Sequence, residues 1–481
     1  MTAGTLAPLL AVLADGATPA AMSIRPPIGS LPGLKVPKPA RFVLPNGLTV
    51  IAVPRRAAPI VAVQVVVRSG SASDPADGAG LAAAVADMLD EGAGSRQALD
   101  IARDIEQLGA DLSTSATRDG AQISLQVPAA GLSAALRILS DMLTAPRFDP
   151  ADWARVKNDR VTALIQRRDQ PDAVAALVGD RVVFGDEHPY GRPVAGYEQT
   201  VQAMTAADLR RHFDAVWRPN HATVVMSGDF DVKTLRPLLS AVFAKWKRAP
   251  VPPLAAGGSG PDKRPRLVIV DKPGAPQTVL LLIGPGVARW SPDRPALSML
   301  STILGGSFTS RLNFNLREQK GYTYGARSSF TFPRLPGAFT AGASVFTKVT
   351  DASVTEILAE FSGVRGAPVR PEELTKARAI LLERVAEGLS TAVGTVGIYA
   401  DVALYGLPLD EPARFAKALA KADVSDLQQL AQRSIDPSTI SIIAVGDRRA
   451  IEPGLQALRL GVPEIRTVDG SVLGPTSGGV Q

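Results

Sequence analysis

Alternating apolar and polar residues predict a series of short strands in the first half of the chain. The clearest run, with the two-residue period of a half-buried strand, consists of Val61, Val63, Val65 and Val67. A Pro-Asn-Gly turn at 45–47 favours a hairpin before this strand, and a second hairpin is predicted around 118–120. The other predicted elements of this half are helices at 79–89, 98–108, 132–143 and 150–168, a strand at 222–229 and a final helix through 239–243.

The same order of elements recurs in the second half. Strands are predicted at 266–270, 278–283, 324–332, 337–346 and 441–445, with helices at 296–304, 314–319, 354–361, 371–389 and near 455. Three local features reappear at nearly one spacing: Pro150 and Pro371 are 221 positions apart, Phe184-Gly185 and Tyr405-Gly406 are also 221 apart, and Gly228-Asp229 and Gly446-Asp447 are 218 apart. A repeat of this kind indicates a duplicated domain.

The predicted fold class is therefore α+β, with two homologous domains of about 220 residues, each a mostly antiparallel sheet covered by helices. The predicted boundaries are an N-terminal extension at 1–39, a first domain at 40–248, a linker rich in Pro and Gly at 249–264, a second domain at 265–465 and a flexible tail at 466–481.

The composition is that of a globular chain. Hydrophobic residues make up 46% and charged residues 20%, which excludes wholesale disorder. The net charge of +6 and the scattered pairs of basic residues carry no fingerprint of nucleic-acid binding. No apolar run reaches the roughly 18 residues of a membrane-spanning helix. The absence of cysteine excludes disulfides, Cys-ligated metal centres and thiol nucleophiles.

The Ala/Leu-rich segment at 6–21 leaves the cellular compartment open. It ends in the small residues Pro19-Ala20-Ala21, as a signal-peptide cleavage region does, but no basic residue precedes its apolar core. It is either the remnant of a secretory signal or an unstructured N-terminus. A periplasmic location is the preferred prediction, with a cytoplasmic one as the alternative.

Histidine is scarce, and no two of the three histidines have the spacing of metal ligands on a helix; they lie at 188, 212 and 221. Asp186-Glu187-His188 is a trio of metal-capable side chains, but Pro-Tyr-Gly follows it, and a structural or solvated loop is the favoured interpretation. The sequence contains no phosphate-binding loop and no Gly-x-Ser-x-Gly motif of serine hydrolases.

The duplicated α+β plan, with Leu-Pro-Asn-Gly-Leu at 44–48, resembles the insulinase/pitrilysin family of zinc peptidases from about 42 to about 460. Bacterial two-subunit members and the subunits of mitochondrial processing peptidase are the best comparison. In that family the helix after the first long strand carries His-x-x-Glu-His. Its two histidines bind zinc from one helix face, and its glutamate acts as general base on the metal-bound water.

The corresponding stretch of this chain, 80–89, lacks these groups. Ala83 and Asp87 stand at the histidine positions and Ala86 stands at the glutamate position. The family's third ligand is a glutamate of the long helix that begins here at Pro150, and the matching stretch 161–165 contains none. The resemblance therefore implies that this chain holds no catalytic zinc and no other cofactor, and that 82–89 is simply a packed helix.

The family's second functional element is intact in the second half. It consists of an arginine and a tyrosine seven residues later, near a Gly-rich loop, and Arg317 and Tyr324 match it. By resemblance, both side chains reach across a chamber to the zinc of the opposing domain, bind the substrate backbone and stabilise the oxyanion. Gly305, Gly306 and Ser307 form the adjoining substrate-binding loop. The alternative is an amphipathic helix capped by glycine and a tyrosine that serves packing.

The resemblance implies a non-zinc, substrate-binding subunit of a heterodimeric insulinase-type metallopeptidase that hydrolyses peptides. The chain is not active alone in this interpretation, because its partner, a homologous subunit with the zinc motif, supplies the metal. The substrate is an extended peptide, which can add as a strand to a sheet edge. The alternative function is a catalytically inert scaffold or binding protein of peptidase ancestry, as in the core subunits of a respiratory complex.

Overall fold

A computed structural model describes residues 34–253 and 260–473. The described residues from Lys35 onward belong to one compact unit. The predicted signal-like segment at 6–21 lies outside the described residues, as does part of the predicted linker.

The first half contains eight strands and eight helices in the described residues: β1 Ala40–Val43, β2 Thr49–Pro54, β3 Ile60–Val67, α1 Leu81–Asp87, β4 Gly92–Ala93, β5 Arg96–Gln97, α2 Ala98–Gln107, β6 Asp111–Ala116, β7 Ala121–Pro128, α3 Leu132–Thr144, α4 Pro150–Arg167, α5 Pro171–Phe184, α6 Glu198–Ala203, α7 Ala206–Val216, β8 Ala222–Gly228 and α8 Val232–Val242.

The second half repeats much of this order with the following elements: β9 Leu267–Asp271, β10 Gln277–Pro285, α9 Arg294–Leu304, α10 Arg311–Asn313 with a π-helical turn at Phe314–Gln319, β11 Thr323–Phe330, β12 Ala338–Phe346, α11 Thr350–Gly366, α12 Pro371–Gly388, α13 Ala392–Tyr405, α14 Glu411–Lys421, α15 Val424–Ser434, β13 Ser441–Gly446, α16 Arg448–Ala457 and β14 Glu464–Arg466.

The two halves have sheets of the same topology. The first sheet runs β6-β7-β3-β8-β2-β1 and the second runs β11-β12-β10-β13-β9-β14. In each, one central pair is parallel, β2 with β8 and β9 with β13. Only the last strand differs, because β1 is antiparallel to β2 whereas β14 is parallel to β9. The predicted fold class, two homologous α+β domains with mostly antiparallel sheets, is confirmed.

Each sheet packs one face against helices of its own half. The alternating valines of β3 are all buried in the first of these cores, together with apolar residues of α1, α3 and α7. The second core is built in the same way from β10 and β12 with α9, α11 and α12. Pro150 and Pro371 stand at the first position of α4 and α12. Proline is favoured there because it has no backbone N–H, and the first N–H groups of a helix have no acceptor within the helix.

The other face of each sheet is covered by a helix of the opposite half. Helix α5, from the first half, packs on β10 and β13 of the second sheet, and α13, from the second half, packs on β3 and β8 of the first. Five valines and alanines of α5 form one buried cluster with β9, β10 and β13; they are Val174, Ala175, Val178, Val182 and Val183. The halves are therefore interlocked by an exchange of helices.

A buried carboxylate joins the two halves where these helices end. Asp119, in the β6–β7 hairpin, accepts hydrogen bonds from the Tyr190 hydroxyl at 2.6 Å and the Tyr405 hydroxyl at 3.1 Å. It also accepts the backbone N–H of Arg334, in the β11–β12 hairpin, at 2.8 Å. Burial and the nearby Asp119 charge raise the pKa of both tyrosines, so their hydroxyls stay protonated and can donate.

The end of the chain differs from the predicted flexible tail at 466–481. Arg466 belongs to β14, which pairs with β9, and its buried guanidinium donates to the Gly470 carbonyl at 3.0 Å. A turn then brings Val472 back to pair with Arg466. Sheet pairing orders residues 466–473, and residues 474–481 lie outside the described part of the chain.

We expect Asp119→Ala to lower the free energy of unfolding by about 3 kcal/mol, because it leaves the buried Tyr190 hydroxyl and the partly buried Tyr405 hydroxyl without an acceptor. Urea denaturation followed by circular dichroism measures this change. The control is Asp77→Ala, at an exposed position. A loss for Asp119→Ala no greater than that of the control would contradict the role of this carboxylate.

Candidate functional site

A cleft of about 970 Å³ opens on the second sheet, next to α5. Helix α5 covers β10 and β13 and leaves the outer strands β11 and β12 accessible. All five predicted functional residues line this cleft; they are Gly305, Gly306, Ser307, Arg317 and Tyr324. The structure thus brings together residues that the sequence spreads over 20 positions.

Tyr324 is directed outward by an irregularity in the edge strand. The register of β11 against β12 shifts between Thr323 and Ala326, so Tyr324 and Gly325 are both exposed where alternation would bury one of them. The Thr323 hydroxyl fixes the bulge by donating to the Ser344 carbonyl at 2.7 Å. Tyr324 is 82% exposed and its phenol is free to meet a ligand.

Arg317 lies on the π-helical turn that leads into this strand. Its guanidinium carbon is 4.5 Å from the centre of the Phe308 ring, a cation–π contact. Its Nε lies 3.4 Å from a carboxylate oxygen of Glu318. The turn ends before Gly321, whose positive φ of 65° reverses the chain towards β11. This reversal places Arg317 and Tyr324 on the same cleft.

The Gly-rich loop needs its first glycine because the backbone of β11 passes very close. A Cβ added to Gly305 would lie 2.3 Å from the Ser328 backbone nitrogen. Two hydrogen bonds reinforce the contact: the Ser301 hydroxyl donates to the Ser328 carbonyl at 3.0 Å, and the Ser328 hydroxyl donates to the Ser301 carbonyl at 3.1 Å. The end of α9, where the loop begins, is therefore joined to the strand that carries Tyr324.

Two further residues hold this arrangement, and sequence reasoning missed both. The buried Asn313 donates its side-chain amide to the Ser307 carbonyl at 3.1 Å and accepts the Ala326 backbone N–H at 2.8 Å, which bridges the loop to the bulge. Arg384 of α12 donates to the Gly306 carbonyl at 3.1 Å. Neither residue belongs to a recognisable motif, so only the three-dimensional arrangement reveals their role.

The matching region of the first half has a different chemistry. Ala83 and Ala86 of α1 are buried, and Asp87 forms an ion pair with Arg160 of α4. The Arg160 guanidinium also donates to the Ala195 carbonyl at 3.1 Å. Of the three positions 83, 86 and 87, only Asp87 has a carboxylate, and that carboxylate is paired with the Arg160 guanidinium. These residues therefore offer no set of zinc ligands and do not fit the metal. No cluster of three metal-capable side chains occurs in 34–253 or 260–473.

The start of α1 is held by a second buried carboxylate. Asp74 accepts the backbone N–H groups of Gly80 and Ala82, both at 2.9 Å, and so caps a helix that has no cap of its own. Burial raises the pKa of Asp74 to about 7, against the lowering effect of these hydrogen bonds. This cap fixes the position of Ala83, Ala86 and Asp87.

The three histidines are not brought together. His188 accepts the Tyr190 backbone N–H at 3.0 Å and stacks on Phe184, a structural role in the loop. Burial lowers the pKa of His212 to about 4 and also lowers that of His221. Burial lowers the pKa of His188 as well, and its contacts with Tyr190 and Phe184 fit a structural loop.

Two family models match the sequence. The model described as Insulinase (Peptidase family M16) matches residues 49–178, and the model described as Peptidase M16 inactive domain matches residues 203–381, together more than half of the chain. The chain belongs to the insulinase family. The predicted resemblance is confirmed, and no helix of this insulinase-family chain, among its described residues, is long and apolar enough to cross a membrane.

Known proteins resemble this insulinase-family chain over most of its length. An uncharacterised zinc protease of Mycobacterium tuberculosis is 32% identical over 295 residues, which are 60% of this chain and 66% of that relative, just under two thirds. The structure of the peptidase M16 inactive domain from Pseudomonas fluorescens matches with a TM-score of 0.80 at 23% identity, covering 85% of this chain and 98% of that one. The periplasmic protease PqqL from Escherichia coli matches with a TM-score of 0.72 at 16% identity, covering 92% of this chain and 49% of that one.

We expect Asp87→Asn to lower the free energy of unfolding by about 1–2 kcal/mol, because it leaves the largely buried Arg160 without its counter-ion; the exposure of Asp87 limits the effect. The measurement is urea denaturation at pH 7. Asp159→Asn is the matched control, since Asp159 lies on the surface 3.7 Å from Arg155. Equal stability of the two variants would contradict the role of the Asp87–Arg160 pair.

The raised pKa of Asp74 predicts a pH dependence of stability. In the unfolded chain this carboxyl ionises near its ordinary pKa of 3.8, whereas the folded chain keeps the proton up to about pH 7. Stability is therefore lost as the pH rises through this window. Between pH 5 and 7.5, the wild type should lose about 2 kcal/mol relative to Asp74→Asn, which cannot titrate.

Unfolding free energies of both proteins across this pH range test the dependence on Asp74. Asp77→Asn, at an exposed position of the same segment, should follow the wild type. If the curve of Asp74→Asn also stays parallel to the wild type, the buried carboxyl at 74 is not the source of the pH dependence.

Proposed function

We propose that this chain is the non-zinc, substrate-binding subunit of a two-chain insulinase-type metallopeptidase. The observation that carries the proposal is a difference between the two halves of one duplicated fold. Arg317 and Tyr324 line an open cleft in the second half, whereas the matching metal position of the first half is taken by the Asp87–Arg160 pair. In this proposal the second half supplies groups that bind substrate, and the first half, within the described residues, has other side chains at the positions that would hold catalytic zinc.

The exposed Tyr324 and the half-buried Arg317 suit the stabilisation of developing negative charge on a peptide carbonyl. The Tyr324 phenol and the Arg317 guanidinium are hydrogen-bond donors, and donors aimed at an oxyanion are worth roughly 3–4 kcal/mol in the transition state. The Phe308 ring under Arg317 limits the side chain to one region of the cleft. A bound zinc ion would supply the activated water, and in this proposal it is held by the partner chain.

The proposed partner is a homologous chain that carries the intact zinc motif. A partner is needed in this proposal because the cleft is open to water. Tyr324 and Phe308 are 82% and 65% exposed, and only a covering surface would exclude water from them. The match of this chain to half of the PqqL chain supports the proposal, since a longer relative has room for a second unit of this size. A periplasmic location is proposed as well, and PqqL is periplasmic by its description.

Co-expression of this chain with a zinc-motif-bearing homologue from the same genome tests the function. We expect peptide hydrolysis to need both chains, and Arg317→Ala or Tyr324→Phe to lower kcat by about 100-fold with a small change in KM, because these donors act in the transition state. Tyr322→Phe is the matched control, since Tyr322 packs against the core of the second half.

Equal activity of the wild type and both cleft variants would contradict a role of Arg317 and Tyr324 in catalysis. Absence of hydrolysis by a stable, zinc-loaded pair would favour the inert scaffold of peptidase ancestry.

A further inference from the structure

The cleft of the second half is strongly basic. Three arginines line it, Arg317, Arg327 and Arg384, and among the described residues the only acidic one in its lining is Asp172. Its floor is made of the small residues Thr340, Gly342 and Ser344 of β12, which leave room for an extended chain. A concave surface with one sign of charge concentrates ligands of the opposite sign.

The two arginines outside the family motif lack carboxylate partners within the described residues. Arg327 forms no ion pair there, and Arg384 donates to the Gly306 carbonyl rather than to a carboxylate. Arg311, close by in sequence, is different: it holds Glu373 through two hydrogen bonds of 2.9 and 2.7 Å. The fold can therefore neutralise an arginine in this region, and it leaves Arg327 and Arg384 without a carboxylate partner among the described residues.

The first half shows that the fold does not require these charges. In the second sheet Arg327 of β11 pairs with Gly342 of β12. At the equivalent position of the first sheet, Ser113 of β6 pairs with Ser124 of β7, so Ser113 corresponds to Arg327. Arg384 lies 13 residues after Pro371 on α12, and Ala163 lies 13 residues after Pro150 on α4. Ser113 and Ala163 thus stand where the second half has arginines.

We propose that this cleft selects acidic peptide segments, with Arg327 and Arg384 binding side-chain carboxylates of an extended peptide. Guanidinium groups bind carboxylates through charge-assisted, often paired, hydrogen bonds. This inference rests on the proposed function, since it names the substrate class of the same cleft. Arg327 and Arg384 act as specificity determinants, and Arg317 with Tyr324 remains next to the reacting bond.

Binding to the full chain alone tests this selection without any partner. Three labelled ten-residue peptides are compared by fluorescence anisotropy, with three Glu, three Gln or three Lys in one Ala/Ser background. We expect the Glu peptide to bind about tenfold more tightly than the Gln peptide, and the preference to weaken as salt rises. Arg327→Gln should weaken binding of the Glu peptide about threefold and leave the Gln peptide unchanged. Arg384→Gln also loses the hydrogen bond to the Gly306 carbonyl, so it should weaken binding of both peptides, and that of the Glu peptide more.

The controls separate local charge from net charge and from folding. Arg137→Gln removes the same charge from the exposed face of α3 and should keep the preference. Arg384→Lys keeps the charge and should retain most of the preference for the Glu peptide. Equal binding of the Glu and Gln peptides to the wild type, or the same loss in Arg137→Gln, would overturn the proposal. Tighter binding of inorganic tripolyphosphate through the same arginines would also overturn it, in favour of a phosphate site.

The outcome is distinguishable from that of the two-chain assay. If hydrolysis fails while the Glu preference and its dependence on Arg327 and Arg384 persist, the proposed catalytic role is wrong and acidic-peptide selection stands. If hydrolysis depends on Arg317 and Tyr324 but Glu and Gln peptides bind alike, only the inferred substrate class is wrong.

Discussion

The exchange of α5 and α13 between the two halves is the constraint on which the rest of the structure depends. Each sheet has two apolar faces, and each half supplies helices for only one of them. The second face is buried by the helix from the other half, so neither sheet is complete alone. The buried Asp119, which binds Tyr190 from one half and Tyr405 from the other, fixes the angle at which the halves meet. A buried carboxylate with three donors tolerates little displacement.

The same exchange creates the cleft. Because α5 packs mainly on the central strands β10 and β13, the outer strands β11 and β12 stay open, and α5 forms a wall beside them. The bulge at Thr323–Ala326 then turns Tyr324 into the opening, and Asn313 links that bulge to the Gly-rich loop. Tyr324 is exposed and Arg317 is half-buried, yet the backbone that carries them is held by hydrogen bonds of buried side chains. This combination suits a surface that presents hydrogen-bond donors in a fixed geometry.

The sequence was sufficient for features with a local or repeated signal. The valines of β3 alternate and the two prolines mark α4 and α12, so these elements were predicted correctly. Arg317 and Tyr324 keep a recognisable spacing and line one cleft, and their functional role stays a prediction. Helices α5 and α13 were missed because they are apolar on most sides and rich in Val and Gly, which removes the one-sided pattern of a surface helix and lowers helix propensity. Asn313 and Arg384 were missed because their partners, Ala326 and Gly306, are backbone groups that no side-chain pattern announces.

An arginine of the long helix makes a different kind of contact in each half. Each half has an arginine on its long helix, α4 or α12, that reaches a neighbouring segment. Arg160 reaches Asp87 of α1, whereas Arg384, at a different position along its helix, reaches Gly306 in the loop after α9. In the first half the arginine meets a carboxylate, so its charge is neutralised and the position that a metal would need is filled by an ion pair. In the second half it meets a neutral carbonyl, so its charge remains and adds to those of Arg317 and Arg327. Duplication of one fold thus permits one half to become a structural support while the other keeps a charged, open surface for a ligand.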